Sequence, residues 1–423
     1  PLLADYLHSD DRQVARAAIR ALGEIGNAEA MEALQGAGDE LPDALRDELD
    51  RALLARADRL HSEGEAQQAR VLYEGLSAPE HSVPVRIAAF SGLLKAADGA
   101  DAEVYLEAFD EADRRMRRAI VRRLRGAPDS VLTTLSDRMN GLEPDVQMAL
   151  IRALAAREMT GSAETVMKAA RNDVPQVRSA ALEALGTLGD ASAVPLLVER
   201  LAQAEGDETQ AARRSLLRLR GGGVDDAITG QLEDANTDTK VALIRVLADR
   251  QATAAVPALM EQAQNAKGDV RTEALKALGR LADADYVPAI VKLLLKADDS
   301  WRWRVQQALT DVTKRIDDPE KVSGPVLDAM PDAGQKARIA ILQVLGQAGG
   351  QRALDAVTDA LDADSEQVSM AALRVLGEWP EGAALDTLLD VARSTDDARR
   401  RVLAIRGFAR VTERDDNRSA DRL

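Results

Sequence analysis

Residues 113–126 read DRRMRRAIVRRLRG, a run of arginines set in a chain whose net charge is −16. Wound as a helix at about 100° per residue, it places Arg114, Arg115, Arg118, Arg122 and Arg125 on one face. Met116, Ala119, Ile120 and Leu124 fall on the other. A row of guanidinium forks can grip carboxylates, phosphates or sulfates through paired N–H donors. Two readings follow. The face is a binding site for an anion or an acidic partner, or it is a solvated face neutralised by Asp110, Glu111 and Glu143. The segments ARRSLLRLRGGG and ARRRVLAIRGFAR, near residues 212 and 398, are weaker forms of the same pattern. A second candidate is DDSWRWRV, residues 298–305, with Trp301 and Trp303 flanked by Arg302 and Arg304. Exposed Trp and Arg are favoured as contact residues between proteins. In the plainer reading Trp303 fills the first apolar position of a helix and Trp301 packs on the preceding turn.

Residues for bond-making chemistry are scarce. With no cysteine, thiolate nucleophiles, thiolate metal sites and disulfides are all excluded. The histidines are His8, His61 and His81, each followed by Ser, and none is spaced to share a metal with another. Gly221 to Gly223 lie in RGGGVDD without the Lys-Ser or Lys-Thr that a phosphate loop requires, so they read as a turn between helices. The many acids sit where helix caps and turns are expected. The sequence therefore predicts no catalytic residue, no metal site and no cofactor.

The elements that carry these residues repeat. VRSAALEALG, from Val177, returns as VARAAIRALG from Val14, VRTEALKALG from Val270 and VSMAALRVLG from Val368. Copies begin near Val14, Val85, Met116, Val146, Val177, Thr239, Val270, Ala337, Val368 and Arg400, with looser ones near Leu45, Ala211 and Arg304. Val146 and Val177, Thr239 and Val270, and Ala337 and Val368 each stand 31 residues apart, a period found in helical-hairpin arrays. Between copies lies a second helix, as in AVPLLVERL and AVPALMEQA. There Pro195, Pro257 and Pro288 keep one phase and fit a first turn, whose N–H groups lack helical partners. Gly186, Gly279, Gly346 and Gly377 are expected to close the first helix in a left-handed conformation. A recurring arginine (Arg86, Arg117, Arg178, Arg271, Arg338) is expected to pair with turn acids such as Asp173 and Asp269 between stacked hairpins.

Composition agrees with an all-α array. Hydrophobic residues are 46% of the 423 but aromatics only 2%, so the apolar content is Ala, Leu and Val, which suits close helix packing rather than sheets. No run of about 18 apolar residues predicts a membrane span, and no signal peptide is legible. The lack of Cys fits a cytoplasmic or an exported protein. The acidic balance opposes binding to nucleic acid or to anionic lipid.

The DxxxVRxAALxALG hairpin with AVPxLLxxL resembles the HEAT-like repeats of the phycobilisome-lyase type over nearly the whole chain. The resemblance implies a right-handed α-solenoid of about 13 hairpins, with the first helix of each copy lining a concave surface. LGEWPEGAALDTLLDVARSTDDARRRVLAIRGFARV is similar to the HEAT segment of large bacterial multidomain proteins. Some of those carry a 3-keto-disaccharide-hydrolase-like or cytochrome c module, and neither is recognisable here. Other relatives of the repeat are alkylpurine DNA glycosylases or di-iron hydroxylases. This chain has too few aromatics and too much negative charge for the first, and lacks the His-Glu pairs of the second. RALLARADRLHSEGEAQQARVLYEGL, from Arg51, resembles a longer tetratricopeptide-like hairpin. The expected organisation is thus HEAT-like repeats over 1–50, that hairpin over 51–80, a HEAT-like array over 81–412 and a polar tail over 413–423. PLLADYL at the start matches PLLVERL from Pro195, so the chain is expected to begin inside a second-type helix, as a piece of a longer polypeptide. The function so implied is a non-catalytic scaffold whose concave surface binds another protein, or another domain of its parent chain, with acidic segments on the partner as one option. The alternatives are an enzyme or enzyme accessory acting on nucleic acid or a tetrapyrrole, and a handle for a catalytic module elsewhere.

Overall fold

A helix built from Ala, Leu and Val, with a glycine in several copies, can approach its neighbour closely, and that approach sets the architecture. The computed structural model describes residues 2–38, 40–97, 100–110, 112–203 and 205–414. Among them are twenty-five α-helices, short 3-10 turns and no β-strand. The chain divides into two compact units, Pro1–Gly189 and Asp190–Leu423.

The first unit holds α1 (Arg12–Ile25), α2 (Ala28–Ala37), α3 (Asp43–Ser62), α4 (Ala66–Ser77), α5 (Val83–Ala96) and α6 (Ala102–Asp110). It continues with α7 (Arg114–Leu124), α8 (Asp129–Asp137), α9 (Pro144–Ala156), α10 (Ala163–Ala169) and α11 (Pro175–Leu188). The second holds α12 (Val194–Gln203), α13 (Asp207–Arg218), α14 (Val224–Gly230), α15 (Thr237–Asp249), α16 (Val256–Asn265), α17 (Gly268–Leu281) and α18 (Val287–Lys296). After these come α19 (Arg302–Thr313), α20 (Glu320–Asp328), α21 (Gln335–Ala348), α22 (Gln351–Asp359), α23 (Glu366–Leu376), α24 (Leu385–Ser394) and α25 (Ala398–Arg414). Each of the thirteen repeat starts lies in an odd-numbered helix. Within each unit every odd helix packs on the next odd helix, and the even helices pack against that row. This is an α-solenoid in which each repeat buries its stripe only against its neighbours.

Counting from the first apolar residue of a copy as zero, positions four and eight (Ala181 and Leu185 in α11) are sealed in the hairpin core. Positions zero, three, seven and eleven (Val177, Ala180, Ala184, Leu188) are buried on one side of that core. The glycine at position nine meets position seven of the next copy. A Cβ at Gly23 would stand 2.9 Å from Ala52 Cβ, one at Gly346 2.4 Å from Val375 Cγ1, and one at Gly377 2.9 Å from Gly407 Cα. Gly186, Gly279 and Gly346 therefore lie inside their helices, and Gly377, capping α23, is right-handed at φ −70°. This corrects the expected role. At Gly279, Gly346 and Gly377 the residue is glycine because the next odd helix comes close, not because the helix ends there. Left-handed glycines do close two odd helices, but three residues later, at Gly26 (φ 58°) and Gly349 (φ 70°).

Of the recurring arginines, Arg117 lies 3.8 Å from Asp145, a turn acid of the next hairpin, as expected, and others also reach main-chain oxygens. Arg86 donates to Ser77 O (3.0 Å), Arg178 to Asn172 O (2.9 Å) and Arg271 to Gln264 O (3.3 Å). These are carbonyls at or just beyond the end of the preceding short helix, which lack intrahelical donors. A second set of arginines reaches back a whole repeat to the carboxyl end of an odd helix. Arg59 donates to Gly23 O and Glu24 O, Arg157 to Arg125 O (3.2 Å), and Arg315 to Gly279 O and Ala282 O (2.9 and 2.6 Å). Positive charge there also meets the negative end of the helix dipole. Ion pairs follow the register too. Arg20 and Arg245, at position six, pair with Glu48 (2.7 Å) and Glu273 (3.1 Å), at position three of the next copy.

At the amino end Ala4–Tyr6 form only a 3-10 turn where a second-type helix is expected, too short a stretch to complete a helical nucleus. The polar tail expected at 413–423 lies outside the described residues from 415 onward.

Replacing Gly377 by Ala should lower the melting midpoint, with overpacking worth about 1–3 kcal/mol, because the atom in the way is backbone. Gly75, within α4, has open space on its side-chain side, with no atom within 4 Å of where a methyl group would sit. Gly75→Ala should therefore raise the midpoint, by about 0.5–1 kcal/mol. Hydrogen bonds from Arg20 and from Arg245 hold the Glu48 and Glu273 carboxyls below their ordinary range. Their stabilisation is complete above the unfolded carboxylate pKa of about 4.3 and disappears as pH falls through the lowered folded values. The difference in melting temperature between wild type and Glu48→Gln/Glu273→Gln should accordingly be largest near neutrality and close on acidification.

Candidate binding surface

α7 begins where Asp113 accepts hydrogen bonds from the N–H groups of Arg115 and Met116, both at 2.8 Å. The bond from Met116 is the main cause that lowers the pKa of this carboxyl. The cap fixes the helix phase, and Met116, Ile120 and Leu124 go into the core. Arg114, Arg115, Arg118, Arg122 and Arg125 are then all exposed. The remaining two arginines of the segment turn toward neighbouring elements. Arg117 donates to Ala112 O (3.1 Å) and lies 3.8 Å from Asp145, and Arg123 donates to Ser91 Oγ (3.3 Å). None of the five exposed side chains forms an ion pair or hydrogen bond with a described residue. Asp110 and Glu143 are exposed but do not pair with them, and Glu111 lies outside the described residues.

α9 packs directly on α7 and extends the surface. Arg152, at position six of its copy as Arg122 is of its own, is exposed and unpaired among the described residues. A run-by-run reading misses it because α9 is otherwise poor in arginine, but the 30-residue offset from Arg122 was the available signal. The same position yields Arg374 and Arg406 in the second unit. With Arg399 and Gln343 they line a groove of about 730 Å³ beside α21, α23 and α25.

The two tryptophans are in the second unit, and their roles are the reverse of those expected. Trp301, 9% exposed, takes position zero of its copy, three residues before the loose start at Arg304, and the Arg271 guanidinium lies 4.2 Å from its ring centroid. Trp303 is 58% exposed with Arg304 at 4.5 Å. The correction follows from helix geometry: position seven of this copy must be Ala308, which sits over Gly279, and seven residues earlier is Trp301.

The histidines are dispersed. His8 lies 3.7 Å from Glu40, His81 lies 3.1 Å from Asp50, and His61 Nδ1 is buried without a partner. Among the described residues no three His, Asp or Glu side chains are grouped so as to hold a metal ion. Gly221 and Gly223 adopt positive φ in the turn that starts α14. No helix among the described residues is long and apolar enough to cross a membrane.

The family model for HEAT repeats matches residues 132–217, 226–310 and 325–409. The chain belongs to the HEAT-repeat family. A further model, the PBS lyase HEAT-like repeat, matches residues 14–37, which are α1 and α2. No curated protein matches this HEAT-repeat chain. Among solved structures it is similar to an engineered protein, at 18% identity and a TM-score of 0.28 over 97% of this chain and 98% of that one. It is also similar to Kap121p bound to Ste12p (12% identity, TM-score 0.45, 97% and 53% of the two chains). A third is the karyopherin Kap121p bound to the SUMO protease Ulp1p (13%, 0.45, 98% and 44%). The chain spans about half the length of those karyopherin chains. Likenesses at such scores say nothing about what this HEAT array binds.

Paired and unpaired arginines should separate in a stability measurement. Arg250 donates to Leu216 O (2.8 Å) and Leu219 O (2.9 Å) and pairs with Asp225. Arg250→Ala should cost about 3 kcal/mol, because a part-buried acid and several carbonyls lose their donor. Arg118→Ala and Arg122→Ala should each stay within about 0.5 kcal/mol of wild type in chemical denaturation.

Proposed function

We propose that this HEAT array is a non-catalytic scaffold that holds an acidic segment along the arginine surface of α7 and α9. The segment belongs to another protein or to another domain of the parent chain. One observation supports the reading above the rest: five guanidinium groups of one segment, Arg114, Arg115, Arg118, Arg122 and Arg125, are exposed and unpaired among the described residues in a chain of net charge −16. Several arginines elsewhere on the odd helices are used between repeats, on carboxylates or on carbonyl oxygens. Concentrated like charge without a partner is unfavourable and is relieved when an anion docks. A carboxylate-rich peptide can take several bidentate guanidinium contacts at once. Rigid stacked helices hold those donors at fixed spacing, so selectivity comes from geometry and charge rather than from a pocket. Trp303 beside Arg304 is a second contact point of this scaffold, in the other unit.

Fluorescence anisotropy with a labelled peptide rich in Glu and Asp tests this. A single-stranded oligonucleotide of equal charge serves as a competitor. Wild type should bind the peptide more tightly than the oligonucleotide, and affinity should fall as salt is raised, as charge-driven binding requires. Arg114→Glu/Arg118→Glu/Arg122→Glu should weaken the peptide by about tenfold or more, some 1.4 kcal/mol, at unchanged helicity. Equal binding by the triple variant would sink the proposal. Tighter oligonucleotide binding, or a tetrapyrrole absorption band in the purified protein, would favour the enzyme-accessory reading.

A further inference from the structure

Position six of the odd helices carries a pattern that runs through the second unit. In α13 the burial of Ala212 and Leu216, at positions four and eight, sets position zero at Glu208. That is 31 residues after Val177 and 31 before Thr239. Position six is then Arg214, followed by Arg245, Lys276, Gln307 and Gln343 on the next four odd helices, and by Arg374 and Arg406 on α23 and α25. All of them are exposed and none is acidic, in a chain of net charge −16. Acids one turn further along, at position ten, are already engaged: Asp249 with Arg280 (3.0 Å), Asp311 with Lys314 (3.4 Å) and Glu378 with Arg410 (3.0 Å). The position-six row keeps its charge. Arg214, Arg374 and Arg406 form no ion pair or hydrogen bond with a described residue, and Arg245 and Lys276 share the single carboxylate of Glu273.

Position two lies one turn before position six on the same face and makes a second, largely apolar row. Val241, Trp303, Ile339 and Met370 stand there in α15, α19, α21 and α23. Trp303 is 58% exposed, and Ile339 and Met370 line the groove of about 730 Å³ together with Arg374 and Arg406. On its α25 side this groove is lined by residues next to α23, where Gly407 meets Gly377.

The spacing of the row selects the conformation that can use it. Close contacts such as Gly279 on Ala308 and Gly377 on Gly407 hold successive odd helices within the usual interaxial range of about 8–10 Å. Residues that share a position recur at about that interval. A β-strand does not match it, because side chains on one face recur after about 6.6–6.8 Å and then only at about 13 Å. A polyproline II segment does: three residues per turn, at about 3.1 Å each, return a side chain to the same face after about 9.3 Å.

We infer that the second unit binds a polyproline II segment with a carboxylate at every third residue. Its acids lie on the position-six row and its prolines on the position-two row. Arg214, Arg374 and Arg406 offer the carboxylates bidentate contacts, and the proline face packs on Trp303 and its apolar neighbours. Gln343, whose Oε1 accepts from Gln306 (2.8 Å), keeps its own amide N–H groups for an oxygen of the ligand. This site is separate from the arginine surface of α7 and α9 and reads the interval between charges rather than their number.

Fluorescence anisotropy on the full chain carrying Arg114→Glu/Arg118→Glu/Arg122→Glu isolates this row from the first unit's surface. The probe is a labelled Glu-Pro-Pro repeat of about 20 residues, enough to cross the odd helices from α13 to α25 at three residues per helix. It should bind about tenfold more tightly than a peptide of the same composition whose glutamates stand in adjacent pairs. Adding Arg214→Ala/Arg374→Ala/Arg406→Ala should weaken the repeat by about tenfold. Circular dichroism should be unchanged, because the three side chains are exposed and have no described partner. Equal binding of the two peptides, or undiminished binding by the alanine variant, would overturn the inference. So would tighter binding of a helical peptide with glutamate at every seventh residue, or displacement of the probe by a lower concentration of an oligonucleotide of equal charge.

Discussion

Close approach between successive odd helices is the constraint from which the rest of this molecule follows. Where a Cβ on Gly377 would lie 2.9 Å from Gly407 Cα, two backbones are nearly in van der Waals contact, and helix separation is set by main chain rather than by side-chain bulk. Close packing of that kind brings many weak dispersion contacts into play along each helix. It also holds the register to one residue, since a slip would drive Val375 into something other than Gly346. The low aromatic content of the chain is the compositional face of the same constraint.

A fixed register has electrostatic consequences. Any side chain at a given position recurs about one repeat later on the neighbouring helix, so arginines and acids can form columns. Position six of one copy meets position three of the next, and position ten meets position ten. These columns absorb much of the charge along the odd helices, and further arginines satisfy carbonyl oxygens at helix ends. On α7 and α9 the columns run out of acids. Arg122 and Arg152 stand at the same position on adjacent helices without a carboxylate partner among the described residues, and Arg114, Arg115, Arg118 and Arg125 add to them. Unbalanced charge on a rigid surface is a recognition device of a simple kind: it needs no pocket and no movement of the scaffold.

Much of this was legible in the order of residues, because both signals are periodic. The 31-residue spacing of Val146 and Val177 and the apolar stripe within each copy identify stacked hairpins, and helix periodicity alone predicts which side of α7 is arginine. What distinguishes Gly377 from an ordinary helix cap is less visible, since a glycine nine residues into a helix looks the same whether the chain turns there or another backbone approaches. The same holds for Trp301 and Trp303, two residues apart near a helix start. Either could take the buried position until the contact of Ala308 with Gly279 fixed the phase.

Sequence by itself thus determined the repeat, its two helices and the identity of the charged face, since these depend on intervals along one chain. Tertiary structure decided which arginines are already engaged and which glycines mark contacts. Arg117 and Arg118 are neighbours in sequence, yet one lies 3.8 Å from Asp145 of the next copy and the other faces water. The difference depends on what lies across the gap, and residues from a neighbouring repeat come there only through stacking.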